Sequence, residues 1–469
     1  MAKKILFFVL LIAPFMLGTI GYCIEGLALS DALYAAFALH AINPVIDEKN
    51  ILIEFARWLC PLALACGVII AVRELGSSFK NLFLSLSSDC VTIYSDNVFG
   101  EMLKNNIPHS ILAADDTVYG NKNIIIMYSD QKTSLEFLAN NKNKLQGKNI
   151  YVRSEHFDPL YIGSGNIRFF DLNGIIAREY WKIRDLTEYF SAQKTHIKIA
   201  LIGFNELGEH ILSGAVMNNV YSLDQCIEYH VWGESAVYRH LHSDLEMMND
   251  DRIIYHEQAL ENEMHTLKEM DRIIVTDSDR YDLLAAIFEL CTQNEIHCFS
   301  ADGSLKNSVY NSNDKIKLFG NYSEILTYDN IITDKLYETA MELHYAYVLE
   351  SRDKTADVFD AAEMEEEWEK LDGFTKMSNI ASADYHDIRL HIMAANDMKE
   401  ANDTLYELEH IRWCRFLFLN HWKYGETASG KKDSENRIHP CLTAFSNLPP
   451  EIRKLDEDSV KTLLSLYTR

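Results

Sequence analysis

Residues 197–212 read IKIALIGFNELGEHIL, and this stretch decides the fold of the larger part of the chain. The apolar run before Gly203 predicts a buried strand, the segment from Gly203 to Gly208 predicts a turn, and the following residues predict an amphipathic helix. A strand that leads through a glycine-containing turn into a helix is the first unit of a nucleotide-binding α/β fold. The stretch therefore predicts a parallel sheet with helices on its faces.

The nucleotide-binding signal in this turn is incomplete. Asn205 replaces the middle glycine of the G-x-G-x-x-G fingerprint, and its side chain hinders the close approach of a pyrophosphate. Glu234 follows the next strand at about the distance expected for a ribose-binding acid. The candidate nucleotide-binding residues are Gly203, Asn205, Gly208, Glu234 and Asp277. The alternative is that this half serves only packing and dimerisation.

The same pattern occurs twice in the chain. NIIIMYSDQKTSLEFL (123–138) matches RIIVTDSDRYDLLAAI (272–287), because each is an apolar strand followed by a Ser-Asp turn and an amphipathic helix. The match predicts tandem Rossmann-like halves, at residues 81–190 and 191–335. The first half lacks the glycine fingerprint, so we expect it to serve mainly as scaffold.

Two apolar runs near the N-terminus predict a membrane hairpin. Ile5–Ile24 and Ile51–Val72 are each long enough to cross a bilayer. Basic residues lie before the first run and after the second: Lys3, Lys4, Arg73 and Lys80. Because basic flanks stay inside, both termini and the bulk of the chain are predicted to be cytoplasmic, at the inner membrane of a cell. A signal peptide is the alternative for the first run.

The segment between the two runs predicts a pore-like arrangement over residues 1–80. Ala32–Ile46 is uncharged and follows Ser30-Asp31, a helix-capping pair. It is too short to span a bilayer and suits a re-entrant helix. The candidate pore residues are His40, Asn43, Asp47 and Glu48. No T-V-G-Y-G-like filter follows, which argues against potassium selectivity. The alternative is an interfacial helix in a simple two-span anchor.

Two spans followed by tandem Rossmann-like halves resemble the membrane proteins that carry TrkA-N/RCK regulatory domains. This resemblance covers about residues 1–345 and rests more on architecture than on motifs. It implies a ring of regulatory domains beneath a tetrameric pore, and opening or closing of that pore by a bound nucleotide or ion.

The C-terminal stretch carries four short motifs. They are Glu409-His410-x-Arg412-Trp413, His421-Trp422-Lys423-Tyr424-Gly425, His439-Pro440-Cys441-Leu442 and Phe445-x-x-Leu448-Pro449. They resemble E-H-x-x-W, G-W-x-Y-G, H-P-C-L and F-x-x-L-P of the Ry domain, the repeat first described in ryanodine receptors. His421 stands where glycine is usual. The resemblance covers about residues 400–469 and implies a mainly helical domain, within 336–469, that senses an adenine nucleotide or a derivative.

Aromatic and basic residues of this region are the candidate ligand-binding groups, because indole and phenol rings stack on bases and cations bind phosphate. The candidates are Arg412, Trp413, Trp422, Tyr424, Lys431, Lys432, Arg437 and His439. Trp422 and Tyr424 are favoured for ligand contact, since they lie on a turn beside the basic loop. For Trp413 the alternative of core packing is favoured, and His439-Pro440 is alternatively a fixed turn.

Composition excludes several classes of protein. The net charge is −25, with 44 basic against 69 acidic residues, which argues against a nucleic-acid partner. The 9 cysteines are unpatterned and no Cys/His spacing predicts a metal site. No hydrolase, phosphate-loop or zinc-protease motif is present, so we expect no catalytic residues and no enzyme activity.

These observations predict a ligand-gated membrane channel or channel-like effector, weakly selective for cations, with a role in bacterial signalling or anti-phage defence. The expected partners are a lipid bilayer, a small nucleotide and further copies of the chain, as a tetramer. NAD(H), ATP or another adenine-nucleotide derivative is the candidate regulatory ligand. The alternatives are a membrane-anchored NAD-dependent oxidoreductase and a non-conducting, membrane-anchored nucleotide sensor.

Overall fold

The computed structural model describes the chain apart from residues 1, 44–49, 86, 88, 114, 156–165, 278, 304, 306–315, 334, 353–359, 428–429 and 468–469. The chain divides into two compact units, Met1–Ser88 and Asp89–Arg469. The first unit is helical, and the second contains two parallel α/β sheets followed by helices. The predicted order of a helical N-terminus, tandem α/β halves and a helical C-terminus is confirmed at this level.

The N-terminal unit contains helices Ala2–Ile24, Leu29–Ala38 and Ile51–Ser85, with a 3-10 turn at Leu39–Ala41. Small side chains bring the three helices together. A Cβ atom on Gly18 would lie 3.2 Å from the Cβ of Ala36 and 3.3 Å from the Cβ of Ala56. A side chain at position 18 would therefore require these neighbours to move by a few tenths of an ångström.

The short helix is present but begins earlier than predicted. It starts at Leu29 after Ala28, which makes no side-chain capping bond, so Ser30 and Asp31 lie inside its first turn. The predicted Ser30-Asp31 cap is therefore wrong. The helix ends at Ala38, and Ile42 after the 3-10 turn has a left-handed backbone with φ of 58°. The predicted end at Ile46 lies outside the described residues.

One described helical stretch, Ile51–Ile69, is long and apolar enough to cross a membrane. Within the described residues the first helix offers a shorter apolar stretch, Ile12–Ile24. The second predicted span therefore has a matching helix, and the first span stays a prediction. Large apolar side chains such as Phe37, Phe55 and Trp58 are exposed on the N-terminal unit taken by itself.

The first α/β half contains a five-stranded parallel sheet in the order β2-β1-β3-β4-β5. Its strands are β1 Val91–Tyr94, β2 Ser110–Leu112, β3 Asn123–Ile126, β4 Asn149–Arg153 and β5 Ile167–Phe170. Its helices are Val98–Asn106, Gln131–Leu145, Leu172–Ile183 and Thr187–Ser191.

The second half contains a six-stranded parallel sheet in the order β11-β10-β9-β6-β7-β8. Its strands are β6 His196–Ile202, β7 Cys226–Trp232, β8 Arg252–Tyr255, β9 Arg272–Val275, β10 Glu295–Phe299 and β11 Ile316–Phe319. Its helices are Glu206–Asn218, Ala236–Leu241, Leu260–Glu263, Tyr281–Leu290 and Tyr322–Ile325, with a 3-10 helix at Met264–Glu269 and a π-helix at Asp329–Thr333.

The two stretches that match in sequence occupy equivalent places in the two sheets. β3 lies between β1 and β4, and β9 lies between β6 and β10. In each half, the matching strand therefore lies between the first strand of that half and the strand that comes after the matching strand in sequence. The internal match reflects one α/β pattern used twice, with β8 as an added edge strand in the second half.

The C-terminal helices pack against the second α/β half, where helix Asp403–Leu419 contacts helix Glu206–Asn218. They are Lys335–Ser351, Ala361–Glu369, Gly373–Asp384, His386–Ala395, Asp403–Leu419 and Pro450–Tyr467, with a 3-10 helix at Phe445–Asn447 and a two-stranded sheet of β12 Lys423–Tyr424 and β13 Ile438–His439. Arg415 is fully buried and joins the modules: its guanidinium donates to Asp251 (2.7 Å) and to the carbonyl oxygens of Val216 (3.0 Å) and Met247 (2.8 Å). This network fixes helix Asp403–Leu419 on the α/β half.

Candidate ligand-binding site

A cavity of about 540 Å³ lies among the C-terminal helices. Helices Lys335–Ser351, Gly373–Asp384, Asp403–Leu419 and Pro450–Tyr467 form its walls, and residues 430–432 and 439–441 border it. A volume of this size accommodates a nucleotide-sized molecule.

Five of the eight residues that the sequence predicts for ligand binding line the cavity. Arg412, Trp413, Lys431, Lys432 and His439 all line it. Lys431 and Lys432 are exposed, whereas Trp413 and His439 are half-buried. Residues from three separate parts of the Ry-like stretch therefore converge on one space.

The other predicted residues of this group lie elsewhere. Trp422 is 4% exposed and packs in the core against Phe374, with ring centroids 5.4 Å apart. Tyr424 is 54% exposed and is not among the cavity-lining residues. Arg437 is exposed and donates to the backbone oxygen of Asn420 (3.0 Å). The structure thus reverses the expected roles of the tryptophans: Trp413 lines the cavity and Trp422 supports the fold.

His421 has a backbone conformation that glycine adopts more readily than other residues do. Its backbone has φ of 63°, a left-handed conformation that costs a side-chain-bearing residue about 1 kcal/mol. Its ring compensates in part, because Nδ1 lies 3.0 Å from the oxygen of Leu241 and the ring stacks on His242 at 5.1 Å. The next residue, Trp422, lies in the core.

A buried cluster of charges borders the cavity through Glu409 and Arg412. Glu409 accepts hydrogen bonds from Arg412 Nε (3.0 Å) and Nη2 (2.7 Å), and it also forms an ion pair with Arg389. Burial raises the pKa of Glu409, but Arg389 and Arg412 outweigh burial and lower it to about 2. The carboxylate is therefore ionised at neutral pH, and its two partners are held in fixed positions.

One guanidinium nitrogen of Arg412 makes no hydrogen bond to the described residues. The side chain is 1% exposed, and its Nη1 atom has no hydrogen-bond partner among the described residues. A buried guanidinium nitrogen without a hydrogen-bond partner is costly in free energy.

His410 is a second buried cation beside the cavity. Its Nδ1 lies 3.1 Å from the carboxylate of Asp456, and its Nε2 lies 2.9 Å from the backbone oxygen of Thr443. Both neighbours are acceptors, and only the protonated ring donates from both nitrogens. Burial lowers the pKa of His410, but the bonds to Asp456 and to Cys414 outweigh burial and raise it to about 10.

His439 also lines the cavity, but its pKa is lowered rather than raised. Its Nδ1 accepts from the backbone N–H of Cys441 (3.1 Å), and its ring meets Trp413 edge-on at 5.0 Å. Burial, together with the cations Lys432 and His410, lowers the pKa of His439 to about 4. The ring is therefore neutral and aromatic at neutral pH, and it forms an apolar corner with Trp413.

Comparison with protein-family models, curated proteins and solved structures found no match for this chain.

The geometry of the cavity suits one kind of ligand. Trp413 and His439 offer aromatic surface, Lys431 and Lys432 offer exposed cations, and Arg412 offers a buried one. Flat aromatic rings stack on the aromatic surface, and anionic groups bind to the exposed and the buried cations.

The cavity also contains Glu409, His410 and Asp456, which the sequence did not predict as site residues. The i, i+3 spacing of Glu409 and Arg412 does indicate an ion pair on one helix face.

In the Gly203–Gly208 turn, the side chain of Asn205 occupies the start of the following helix. Asn205 caps the helix, and its Oδ1 accepts the N–H of Gly208 at 3.1 Å. Glu206 and Glu209 add negative charge to the same helix start. A phosphate would meet a satisfied donor and two carboxylates, which disfavours it. This arrangement favours the packing role for the turn.

Of the remaining predicted nucleotide-binding residues, Gly203 and Asp277 fit that packing role. A Cβ atom on Gly203, whose φ is 81°, would lie 2.5 Å from the Cβ of Asp277. Asp277 is therefore packed against the turn, whereas Glu234 is exposed after β7.

The predicted pore residues are described only in part. His40 lies in the 3-10 turn beside Phe15 and Phe37, with ring centroids 6.2 Å away in each case. Asn43 is exposed in the N-terminal unit taken by itself. Asp47 and Glu48 lie outside the described residues.

The His410–Asp456 pair yields a pH prediction. A histidine whose pKa is raised in the folded state stabilises that state below its unfolded pKa of about 6.5, and this stability is lost as pH rises towards 10. Asp456→Asn is expected to lower the free energy of unfolding by about 1–3 kcal/mol at pH 7 and to remove most of this pH dependence. The free energy of unfolding is measured by denaturation at pH 6, 8 and 10. Asp458→Asn on the same helix is the control, and equal pH profiles for the two variants would contradict the assignment.

Proposed function

We propose that this chain is a membrane-attached, channel-type effector whose conductance is controlled by a nucleotide-derived ligand bound in the C-terminal cavity. The observation that carries the proposal is the convergence of Arg412, Trp413, Lys431, Lys432 and His439 on one cavity of about 540 Å³. An aromatic corner beside cations suits a base joined to phosphate. An adenine nucleotide or a derivative such as NAD(H) or ATP is the ligand class proposed.

The location of these cations supports the proposal. The chain as a whole has a net charge of −25, so an anionic ligand is repelled by most of its surface. Lys431, Lys432 and Arg412 form a local exception around the cavity. A ligand that binds there does so because of this local arrangement, which gives the site selectivity for anions that also carry an aromatic ring.

The N-terminal unit supports the membrane part of the proposal. Helix Ile51–Ser85 contains the candidate span, and the 10-residue helix Leu29–Ala38 is too short to cross a bilayer. The C-terminal end of that short helix carries partial negative charge, which favours cations. We propose a weakly cation-selective pore formed by several copies, with four as the proposed number, in an inner membrane with both termini cytoplasmic.

A non-conducting anchored sensor is the second candidate. The observation that favours it is the single stretch, Ile51–Ile69, that meets the length and apolarity of a span among the described residues. The oxidoreductase alternative is less favoured, because Asn205 already occupies the N–H of Gly208 where a pyrophosphate would bind.

Ion flux through the reconstituted protein tests the proposal. Liposomes that contain the full chain are exposed to ATP, ADP, AMP, NAD⁺, NADH and ADP-ribose, and cation flux is recorded for each. We expect one of these nucleotides to change the flux, and Trp413→Ala to abolish its effect. Arg437→Gln, an exposed change away from the cavity, is the matched control. Binding without any flux would favour the anchored sensor.

Charge reversal at the outer end of the hairpin tests the pore. Asp47→Lys combined with Glu48→Lys is expected to reduce cation conductance several-fold at 10 mM salt, because the screening length there is about 30 Å. The effect should largely disappear at 1 M salt, where that length is about 3 Å. Glu365→Lys with Glu366→Lys, an exposed acidic pair in the second unit, is the control. Equal currents from both double variants at low salt would argue against a pore lined by residues 47 and 48.

A further inference from the structure

Two clusters of metal-binding side chains occur among the described residues. In each cluster, ligand atoms of three side chains lie within 4.8 Å of one another: His196, Cys226 and Glu228 in the first, and Asp171, Glu206 and His210 in the second. A metal ion bonded to its ligands at about 2.0–2.3 Å holds neighbouring ligand atoms roughly 3–4 Å apart. Both clusters are therefore close to the spacing of a coordination sphere, and their surroundings distinguish them.

The first cluster already holds cations of the protein itself. The buried carboxylate of Glu228 forms ion pairs with Arg252 and with Lys198 (3.9 Å). A metal ion bound to this carboxylate would lie beside two like charges, which disfavours it. The cluster therefore serves best as an ion-pair network across strands β6, β7 and β8.

The second cluster takes two of its three ligands from one helix. Glu206 and His210 lie four residues apart on helix Glu206–Asn218, so their side chains share one face. Two ligands at this spacing on a helix bind one metal ion in the H-E-x-x-H motif of zinc enzymes. Glu206 and Glu209 also make this helix start negative. The charges that disfavour a phosphate there attract a metal cation.

Asp171 supplies the third ligand from the first α/β half. It is the N-cap of helix Leu172–Ile183, and its Oδ1 and Oδ2 accept the backbone N–H groups of Asn173 and Gly174 at 3.1 Å each. These bonds hold the carboxylate in place. Since a carboxylate oxygen has two lone-pair sites, Oδ2 can bind a metal ion while it caps the helix. Its second site now faces His210, whose Nε2 lies 2.7 Å away.

The contact between Asp171 and His210 is where a metal ion fits. At 2.7 Å, one proton lies between Oδ2 and Nε2. A zinc ion bonded to both atoms at about 2.0–2.2 Å sets them roughly 3.0–3.5 Å apart, which requires a separation of less than about 1 Å. The ion takes the place of the proton, which leaves to solvent, because metals bind the deprotonated ligands.

We infer that Asp171, Glu206 and His210 form a binding site for a divalent transition-metal ion of the zinc type. One imidazole and two carboxylates suit such an ion better than Ca²⁺ or Mg²⁺, which prefer oxygen ligands alone. Three protein ligands leave a fourth position for water. The bound ion joins the helix after β5 to the helix after β6. This site shares no residue with the nucleotide cavity, and the inference does not depend on the proposed function.

Metal titration of the full chain in detergent tests the inference. After removal of metals by a chelator, isothermal titration is expected to show one tight Zn²⁺ site, and Zn²⁺ should raise the midpoint of thermal denaturation. Mg²⁺ at the same concentration should do neither. Absence of saturable Zn²⁺ binding, or equal binding of Mg²⁺, would overturn the inference.

Variants assign the ion to one of the two clusters. His210→Asn is expected to lower the Zn²⁺ affinity at least about 100-fold, because loss of a mere supporting contact already costs about 10–100-fold. Glu206→Gln, which keeps the shape of the side chain, should lower it at least about tenfold. His196→Asn is the matched control and should leave it unchanged. Loss of the tight site in His196→Asn, with its retention in His210→Asn, would overturn the inference.

Co²⁺ in place of Zn²⁺ gives a test on the unaltered chain. Nitrogen and oxygen ligands alone give weak visible absorption bands, whereas a thiolate such as that of Cys226 adds an intense charge-transfer band in the near ultraviolet. We expect the visible bands without the thiolate band at one equivalent of Co²⁺. A thiolate band at one equivalent would overturn the assignment to Asp171, Glu206 and His210.

Discussion

Replacing Glu409 by glutamine is expected to lower the free energy of unfolding by about 3–5 kcal/mol. The carboxylate is 3% exposed and is the shared counter-ion of Arg389 and Arg412. Glutamine has nearly the same shape, so packing is preserved while two buried guanidinium groups lose their negative partner. The measurement is urea denaturation of the full chain in detergent, followed by tryptophan fluorescence.

Glu407→Gln provides the matched control for this result. Glu407 lies on the same helix, Asp403–Leu419, but is half-buried rather than buried. We expect its replacement to change stability by less than about 0.5 kcal/mol, as for surface substitutions in general. A similar small effect for both variants would show that the Arg389–Glu409–Arg412 cluster does not hold the fold together.

The same cluster sets an acid limit for folding. A carboxyl group whose pKa is lowered in the folded state stabilises that state above its unfolded pKa, and the stability is lost as pH falls towards the folded value. For Glu409 this window runs from about 4.3 in the unfolded chain down to about 2. The difference in the free energy of unfolding between the native chain and Glu409→Gln should therefore become smaller as pH falls through this window.

The α/β core could be predicted from sequence because its signals are local. Parallel strands are buried on both faces, so they read as apolar runs such as Ile124–Ile126 and Ile273–Val275. Each run is followed by a turn residue and a helix, and that order fixes a parallel connection. The register of the sheet and the extra strand β8 depend on long-range pairing, which no local pattern specifies.

The sequence predicts several of the residues that line the cavity, but not which face of their helix meets it. Helix Asp403–Leu419 is buried almost all round, from Leu405 to Phe418, so its periodicity does not reveal which face meets a cavity. The sequence therefore favours core packing for Trp413. For Trp422, its place in a turn after the helix favours ligand contact, but the residue lies in the core, directly after the left-handed His421.

The glycine turn is ambiguous in sequence for a different physical reason. Its spacing is that of a phosphate-binding turn, but the donor that a phosphate would use is already satisfied by Asn205. Asparagine both tolerates unusual backbone conformations and caps helices, and the sequence alone does not distinguish these roles. Only the position of Oδ1 next to the N–H of Gly208 decides between them.

The contrast between the two tryptophans yields the last prediction. Trp422→Ala is expected to lower the free energy of unfolding by about 3–5 kcal/mol, the usual cost of removing a large aromatic side chain from a core. Trp422 is 4% exposed and packs among Phe374, Phe416 and Leu442. Little collapse of the resulting cavity is expected, because Phe374 and Phe416 belong to two different helices, Gly373–Asp384 and Asp403–Leu419. Urea denaturation of the full chain in detergent measures the loss.

Trp413→Ala is the matched comparison, since it removes the same side chain from the wall of the ligand cavity. Trp413 is half-buried and borders open space, so we expect a smaller loss of stability, about 1–2 kcal/mol. Its effect on nucleotide affinity should be about 1–3 kcal/mol, the scale of one lost base stack. The two variants therefore separate stability from binding. A stable Trp422→Ala protein that no longer binds nucleotide, beside a Trp413→Ala protein that still binds, would place the stacking surface at Trp422 and refute the ligand position argued from the cavity.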